Sequence, residues 1–396
     1  MAALLCAVSS VHPAPPAAAD SIRDHQWALS AFDAEATEKL SSGRGVTVAV
    51  VDTGVDGTHP DLTGNVLPGK SFLAGGGRAD RETDSVHGTA MASLIAGHGH
   101  GPGNSAGIKG LAPGAKILPL RVNVDGNLQF GSVKGVAEAI RYAAEHGASV
   151  INLSLASPSS ARVLEESVRY ARQKGAVVVA GAGNDGTDTP NYPASLPGVV
   201  SVGAVDVSGK IWAKSNYGSN TLVAAPGVDN YSAGLNHQYQ TESGTSDATA
   251  YVSAAAALLR AKFPHLTAGQ IANRLVKTAK LPDSVAGGKL PDKHYGYGFI
   301  RPYRALAEDI PAGARNGPLP GSAPSASPED AGSAAGPGQE TTTVKDGSVF
   351  VVRGVVGAAG IGLLGALAVG VIRRRRPVVP PPPVSGRQPP GPDFRQ

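Results

Sequence analysis

Between residues 20 and 308, short β-branched runs that are apolar almost throughout alternate with stretches whose apolar residues recur every three or four positions. Apolar runs without polar alternation suit a sheet buried on both faces, and helical periodicity between them supplies the crossovers that parallel strands need. The pattern predicts strands over 46–51, 116–122, 150–155, 176–180, 199–205 and 222–225. It predicts helices over 87–97, 133–146, 161–174, 246–262 and 268–277. The fold class is therefore α/β, with a mostly parallel central sheet covered on both sides.

The pattern changes beyond residue 308. Residues 309–347 are rich in Pro, Ala, Gly and Ser and read as a disordered linker, which as a flexible chain would span ~34 Å. Residues 354–372 carry no charge, and as a helix they would measure ~28 Å, close to a hydrocarbon core of roughly 30 Å. A transmembrane helix is expected over 348–372, followed by a basic, Pro-rich tail over 373–396. Arg373 to Arg376 place that tail in the cytoplasm and the large domain outside the cell membrane. At the other end, residues 1–19 resemble a signal peptide, with an apolar run and Ala17-Ala18-Ala19 before Asp20. No Lys or Arg precedes the run, so the true start is expected upstream. Residues 20–45 form an N-terminal extension, and 46–308 the large domain.

Charge excludes one class of partner. The net charge is +4, but seven arginines against one aspartate after residue 348 give that stretch +6 and leave −2 for the rest. The folded part is not basic, and no nucleic acid is expected. Cys6 is the single cysteine, so no intramolecular disulfide can form.

Three segments carry candidate chemistry. Asp52 ends the apolar run Val50-Val51, at the carboxyl end of a predicted strand, where open α/β sheets bind ligands. His87-Gly88-Thr89 opens a predicted helix, and Ser243-Gly244-Thr245-Ser246 precedes another. Each alone is weak, since a turn residue or a helix cap explains it as well. Asp56 and Asp61 read as solvated loop carboxylates, and His98 and His100 as part of a polar surface loop. No metal and no cofactor is expected.

Taken together, in the chain order Asp, His, Ser, these residues resemble the subtilase family of serine proteases. His59-Pro60-Asp61-Leu62, Gly110-Leu111-Ala112-Pro113, Ile151-Asn152-Leu153-Ser154-Leu155, Ala182-Gly183-Asn184 and Tyr192-Pro193-Ala194 extend the likeness. The resemblance implies a subtilisin-like three-layer fold, a catalytic triad of Asp52, His87 and Ser246, and an oxyanion hole of Asn184 and Ser246. It further implies that Ser154, Leu155 and Ala156 pair with an extended polypeptide substrate, with Ala156, Ala182 and Gly183 lining the first pocket. Gln26-Trp27-Ala28-Leu29, the helical run 33–40 and the order of segments are similar to mycosins, the membrane-anchored subtilases of type VII secretion. The implied function is a membrane-anchored serine endopeptidase acting on exported proteins. The alternatives are a general degradative subtilase and a weakly active structural subunit of a membrane secretion complex.

Two departures bear on activity. Asp247 follows the nucleophile, and no proline follows within the next few residues. A carboxylate about 7 Å from a developing oxyanion opposes it by ~2 kcal/mol at an effective dielectric of 20. Asp247 is expected to slow the reaction and raise the pKa of His87, unless it points into solvent. Separately, Gly354, Ala358, Gly362, Ala366 and Gly370 recur every fourth residue, giving the spanning segment one small-residue face on which transmembrane partners could pack.

Overall fold

A computed structural model describes residues 21–81, 85–122 and 133–319. The signal-like segment, most of the expected linker, the expected spanning helix and the tail lie outside the described residues. Among the described residues no helix is long and apolar enough to cross a membrane.

The strands are β1 (Thr47–Asp52), β2 (Lys70–Ser71), β3 (His98–His100), β4 (Ala106–Lys109), β5 (Lys116–Arg121), β6 (Val150–Leu153), β7 (Val177–Gly181), β8 (Val200–Val205), β9 (Val223–Pro226), β10 (Asn230–Ala233) and β11 (Tyr239–Glu242). The α-helices are α1 (Ser21–Asp24), α2 (Trp27–Ala31), α3 (Ala34–Leu40), α4 (His87–Ala96), α5 (Val133–Glu145), α6 (Arg162–Gln173), α7 (Thr245–Lys262), α8 (Ala268–Thr278) and α9 (Pro302–Ala307). Seven strands form one sheet in the order β2-β5-β1-β6-β7-β8-β9, every pairing parallel. The chain leaves β1 towards β5 on one side and later returns to place β6 on the other. The strand order thus reverses around β1, and such a reversal opens a crevice beyond the carboxyl ends of the strands.

Side chains of β1 alternate between two cores. Val48 and Val50 face Met91, Leu94 and the α7 residues, while Ala49 and Val51 face Ile140 of α5 and Val168 of α6. Every residue of α7 from Asp247 to Leu259 is buried, as a helix apolar on all sides must be. It runs beneath the sheet with its N-terminus at the crevice. Two small antiparallel pairs, β3 with β4 and β10 with β11, stand outside the main sheet.

Two expected boundaries shift. The N-terminal extension is part of the core: Ala28 and Phe32 are buried, and the Phe32 ring lies 5.3 Å from Tyr251 of α7 and 5.5 Å from Phe299. Arg23 donates to the carbonyls of Asn104, Ala106 and Gly107 at 2.7, 2.8 and 3.2 Å, and the Trp27 indole N–H donates to Val228 at 3.0 Å. The linker does not begin at Asp309. Arg274 on α8 donates to the carbonyls of Glu308 and Ile310 at 2.6 and 3.1 Å, Gln270 to that of Gly313 at 3.0 Å, and Leu319 is buried. Polar side chains of α8 satisfy backbone carbonyls there, which holds a Pro- and Gly-rich segment without an apolar pattern of its own.

Candidate active site

Asp52 is the last residue of β1 and is 3% exposed. Its Oδ1 accepts the Thr53 N–H at 2.7 Å, and its Oδ1 and Oδ2 lie 2.8 and 2.9 Å from Nδ1 of His87. Facing a carboxylate, Nδ1 carries the proton, so Nε2 is left as the acceptor. Close approach of α4 to the end of β1 makes this contact. Gly88 donates to Thr53 Oγ1 at 3.0 Å, and a Cβ at Gly88 would collide with the Gly54 carbonyl. Burial pushes the His87 pKa down, but the charge and hydrogen bond of Asp52 outweigh it, and Glu242 and Asp247 add to them, raising it to about 9.

Ser246 lies in the first turn of α7, where backbone N–H groups have no helical partner. Its hydroxyl donates to the Ser154 carbonyl at 3.5 Å; no hydrogen bond joins it to His87. Ser154, just past the end of β6, returns a bond from its own hydroxyl to the Ser246 carbonyl at 3.0 Å. That hydroxyl accepts from Asn152 at 3.0 Å, and Asn152 accepts from Ser253 at 3.0 Å, so a buried polar chain ties β6 to α7 under the nucleophile. The sequence reading assigned no part to Asn152 or Ser253, though a lone Asn in a wholly buried strand is a usable signal.

Asn184 follows β7. Its Oδ1 accepts both the N–H and the hydroxyl of Thr245 at 2.9 Å, which fixes the amide and leaves Nδ2 free to donate. A Cβ placed on Gly244 would sit 3.5 Å from Asn184 Nδ2 and 3.6 Å from the Ser246 nitrogen, so the two donors border one small space. Gly183 has φ of +113° and leaves no room for a side chain against the Asn191 and Asn216 amides. Of the expected substrate-contacting residues, Ser154 and Leu155 are buried and Ala156 is exposed beyond β6, with Ala182 and Gly183 buried beyond β7. Ser154 touches Ser246 directly, and the Gly183 N–H donates to Thr245 Oγ1 at 3.2 Å.

The arrangement offers a histidine with a free basic nitrogen, a hydroxyl at a helix N-terminus and a pair of convergent N–H donors, which are the parts of acyl transfer through a serine. The subtilase family model, peptidase S8, matches residues 43–298. The chain belongs to the subtilase family. A thermophilic serine proteinase of Bacillus sp. (strain AK1) is 40% identical over 68% of this chain, which spans 63% of that relative's length. The crystal structure of MycP1 from Mycobacterium smegmatis superposes with a TM-score of 0.66 at 31% identity, covering 77% of this chain and 89% of that one. A further MycP1 structure, described as from the ESX-1 type VII secretion system, gives 0.66 and 31% over 77% and 91% of the two chains.

In this subtilase Asp247 does not point into solvent. It is 1% exposed, and neither carboxylate oxygen has a hydrogen-bond partner among the described residues. Burial and the nearby Glu242 raise its pKa, His87 and the adjacent Asn230 amide hold it back, and the result is about 7. The Asn230 amide lies beside the carboxyl without hydrogen-bonding geometry, for its own nitrogen and oxygen are also unpartnered. The sign for activity follows directly. A general base in acyl transfer must be a neutral imidazole, and with a pKa of about 9 only about one His87 in a hundred is neutral at pH 7. Asp247→Asn should lower that pKa, raising kcat/KM at pH 7 and moving the ascending limb of the pH profile towards acid. An unmoved limb would remove Asp247 from the surroundings of His87.

Two side-chain expectations are corrected. Asp61 is wholly buried and not solvated; it accepts from His100 Nδ1 at 2.6 Å and from the Ile108 N–H at 2.8 Å. His98 and His100 lie on β3 and not in a loop, His98 being held by the carbonyls of Gly99 and Thr63 at 2.6 and 2.9 Å. A turn-forming HPDL segment pinned by β3 and β4 explains the burial. Asp56 is half-buried at the start of a turn, accepting from the Thr58 N–H and hydroxyl at 2.9 and 2.6 Å.

Proposed function

We propose that the protein is a serine endopeptidase of exported polypeptides, with Asp52, His87 and Ser246 as its triad. The observation that carries this reading is the contact of both Asp52 oxygens with His87 Nδ1, at 2.8 and 2.9 Å, beside a serine at the start of a buried helix. An extended substrate lies along Ser154 to Ala156, whose backbone continues the line of β6. The Ser246 hydroxyl turns from the Ser154 carbonyl towards His87. His87 Nε2 takes its proton as the oxygen attacks the scissile carbonyl, and Asp52 holds the imidazolium without accepting the proton. The Ser246 N–H and the Asn184 amide receive the oxyanion. His87 then protonates the leaving amine, and water repeats the sequence on the acyl enzyme.

We place this enzyme on the outer face of the cell membrane, anchored by the segment 348–372 with its C-terminus in the cytoplasm. The uncharged run and the four arginines behind it support that placement. Likeness to MycP1 favours a mycosin-like role in type VII secretion, with the small-residue face of the anchor meeting transmembrane partners of a secretion complex. A second reading, a weakly active structural subunit, is favoured by the buried Asp247 and by the hydroxyl bonded to Ser154 instead of His87.

Labelling of the whole protein by a fluorophosphonate separates the two. The peptidase reading expects stoichiometric labelling that Ser246→Ala abolishes. No labelling of folded wild-type protein would leave the structural reading in its place.

A further inference from the structure

Glu242 closes β11 and stands opposite Asn230 in the β10–β11 ladder, so the two side chains share one face of the hairpin. Asn230 is buried beside Asp247, which fixes that face as the one turned towards the start of α7. The hairpin is fastened to α4 as well, through the Ala233 N–H to Ser93 Oγ at 3.0 Å. Its inner face therefore flanks His87, while Ser154 and the strand that would hold the acyl portion of a substrate lie beneath Ser246. His87 hands its proton to the leaving amine, so the polypeptide on the leaving side departs past the imidazole and along the hairpin.

Two acidic groups, Asp247 and Glu242, stand on that side. Asp247 is sealed from solvent, but Glu242 is only half-buried, and its carboxylate has no hydrogen bond or ion pair among the described residues. Its charge is nonetheless felt by both His87 and Asp247. An unpaired carboxylate in a partly dehydrated crevice is a recognition element for a cation, and a passing Lys or Arg would both pair with it and relieve its repulsion of Asp247.

Building on the peptidase reading, we propose that Glu242 is a specificity-determining residue that selects substrates with Lys or Arg in the first two positions after the scissile bond. Glu242 meets the substrate only on the leaving side, so the selection is imposed on that segment and not on the acyl segment.

The test uses the full-length protein in detergent and internally quenched peptides of one fixed acyl sequence, varied in the two positions after the cleaved bond. Basic residues there should raise kcat/KM about tenfold over alanine, an advantage that shrinks with added salt. Glu242→Gln should bring the ratio of basic to alanine substrates near one, Glu242→Asp should restore part of it, and Glu242→Lys should turn the preference towards acidic residues. Fluorophosphonate labelling of each variant shows that its site is assembled. Cleavage with no basic preference, or a preference that Glu242→Gln leaves intact, would overturn the assignment while the peptidase reading stands. Absence of both labelling and cleavage would overturn the peptidase reading and this one with it.

Discussion

Asp52→Asn should lower kcat by about 10⁴-fold while leaving the fold and substrate affinity close to those of the parent. An asparagine can offer Nδ1 of His87 an N–H in place of an acceptor, and the imidazole then settles in the tautomer whose Nε2 carries the proton. That nitrogen cannot take the Ser246 proton. Removal of the charge also removes the principal cause of the raised His87 pKa, so the ascending limb near pH 9 should move towards acid, with burial opposed only by the charges of Glu242 and Asp247. The same pair bears on stability. A histidine whose pKa is raised on folding contributes most below its unfolded value of about 6.5, and the contribution fades as pH climbs through about 9. Asp52→Asn should therefore be less stable than the parent at pH 6 and converge with it at pH 10. A loss of activity under tenfold would take Asp52 out of the mechanism.

Asn184→Ala is expected to cost 10²- to 10³-fold in kcat, about 2.7 to 4 kcal/mol, the range found for loss of one such donor in a subtilisin. The amide faces the reacting centre because Thr245 occupies its oxygen from two directions, and no side chain among the described residues bonds the nitrogen. Its exposed position means that deletion leaves no buried cavity. KM and thermal stability should therefore move little while kcat falls. A variant that loses stability and activity in parallel would show that Asn184 serves the Thr245 turn and not the oxyanion. Asp52→Asn abolishes the base and Asn184→Ala weakens the charge-stabilising space, so the two differ in their pH profiles: only the first should move the limb set by His87.

Much of the architecture was legible because it rests on apolar periodicity. All six expected strands are present within two residues of their predicted ends, and α4 to α8 are in place, since buried parallel strands and crossover helices write their environment directly into the order of Val, Ile, Leu and Ala. The antiparallel pairs were not legible. His98-Gly99-His100 and Asn230-Tyr231-Ser232-Ala233 are polar or glycine-rich, and they are held by hydrogen bonds that His100 and the Ala233 N–H donate to Asp61 and Ser93, partners distant in the chain. For the same reason residues 309–319 read as linker: composition shows that the segment lacks a core of its own, but not that Arg274 and Gln270 dock its carbonyls. Within the site, residue types and order pointed to Asp52, His87 and Ser246, and the family resemblance to Asn184; the structure supplies their geometry. Asp247 was the ambiguous one, because in the first turn of a helix a single position can face solvent or core, and only the β10–β11 hairpin lying over it decides between them. Glu242 carried no sequence signal at all, being one acid in a polar stretch.

The placing of Phe32 edge-on to Tyr251 and stacked on Phe299 reaches beyond packing. Tyr251 lies on the same buried helix as Ser246, a little more than one turn further along. A polypeptide started at residue 43, where the family match begins, would uncover both rings and deprive the nucleophile-bearing helix of one wall. Shortening the amino end for expression therefore risks a protein that keeps its sheet yet misplaces its serine.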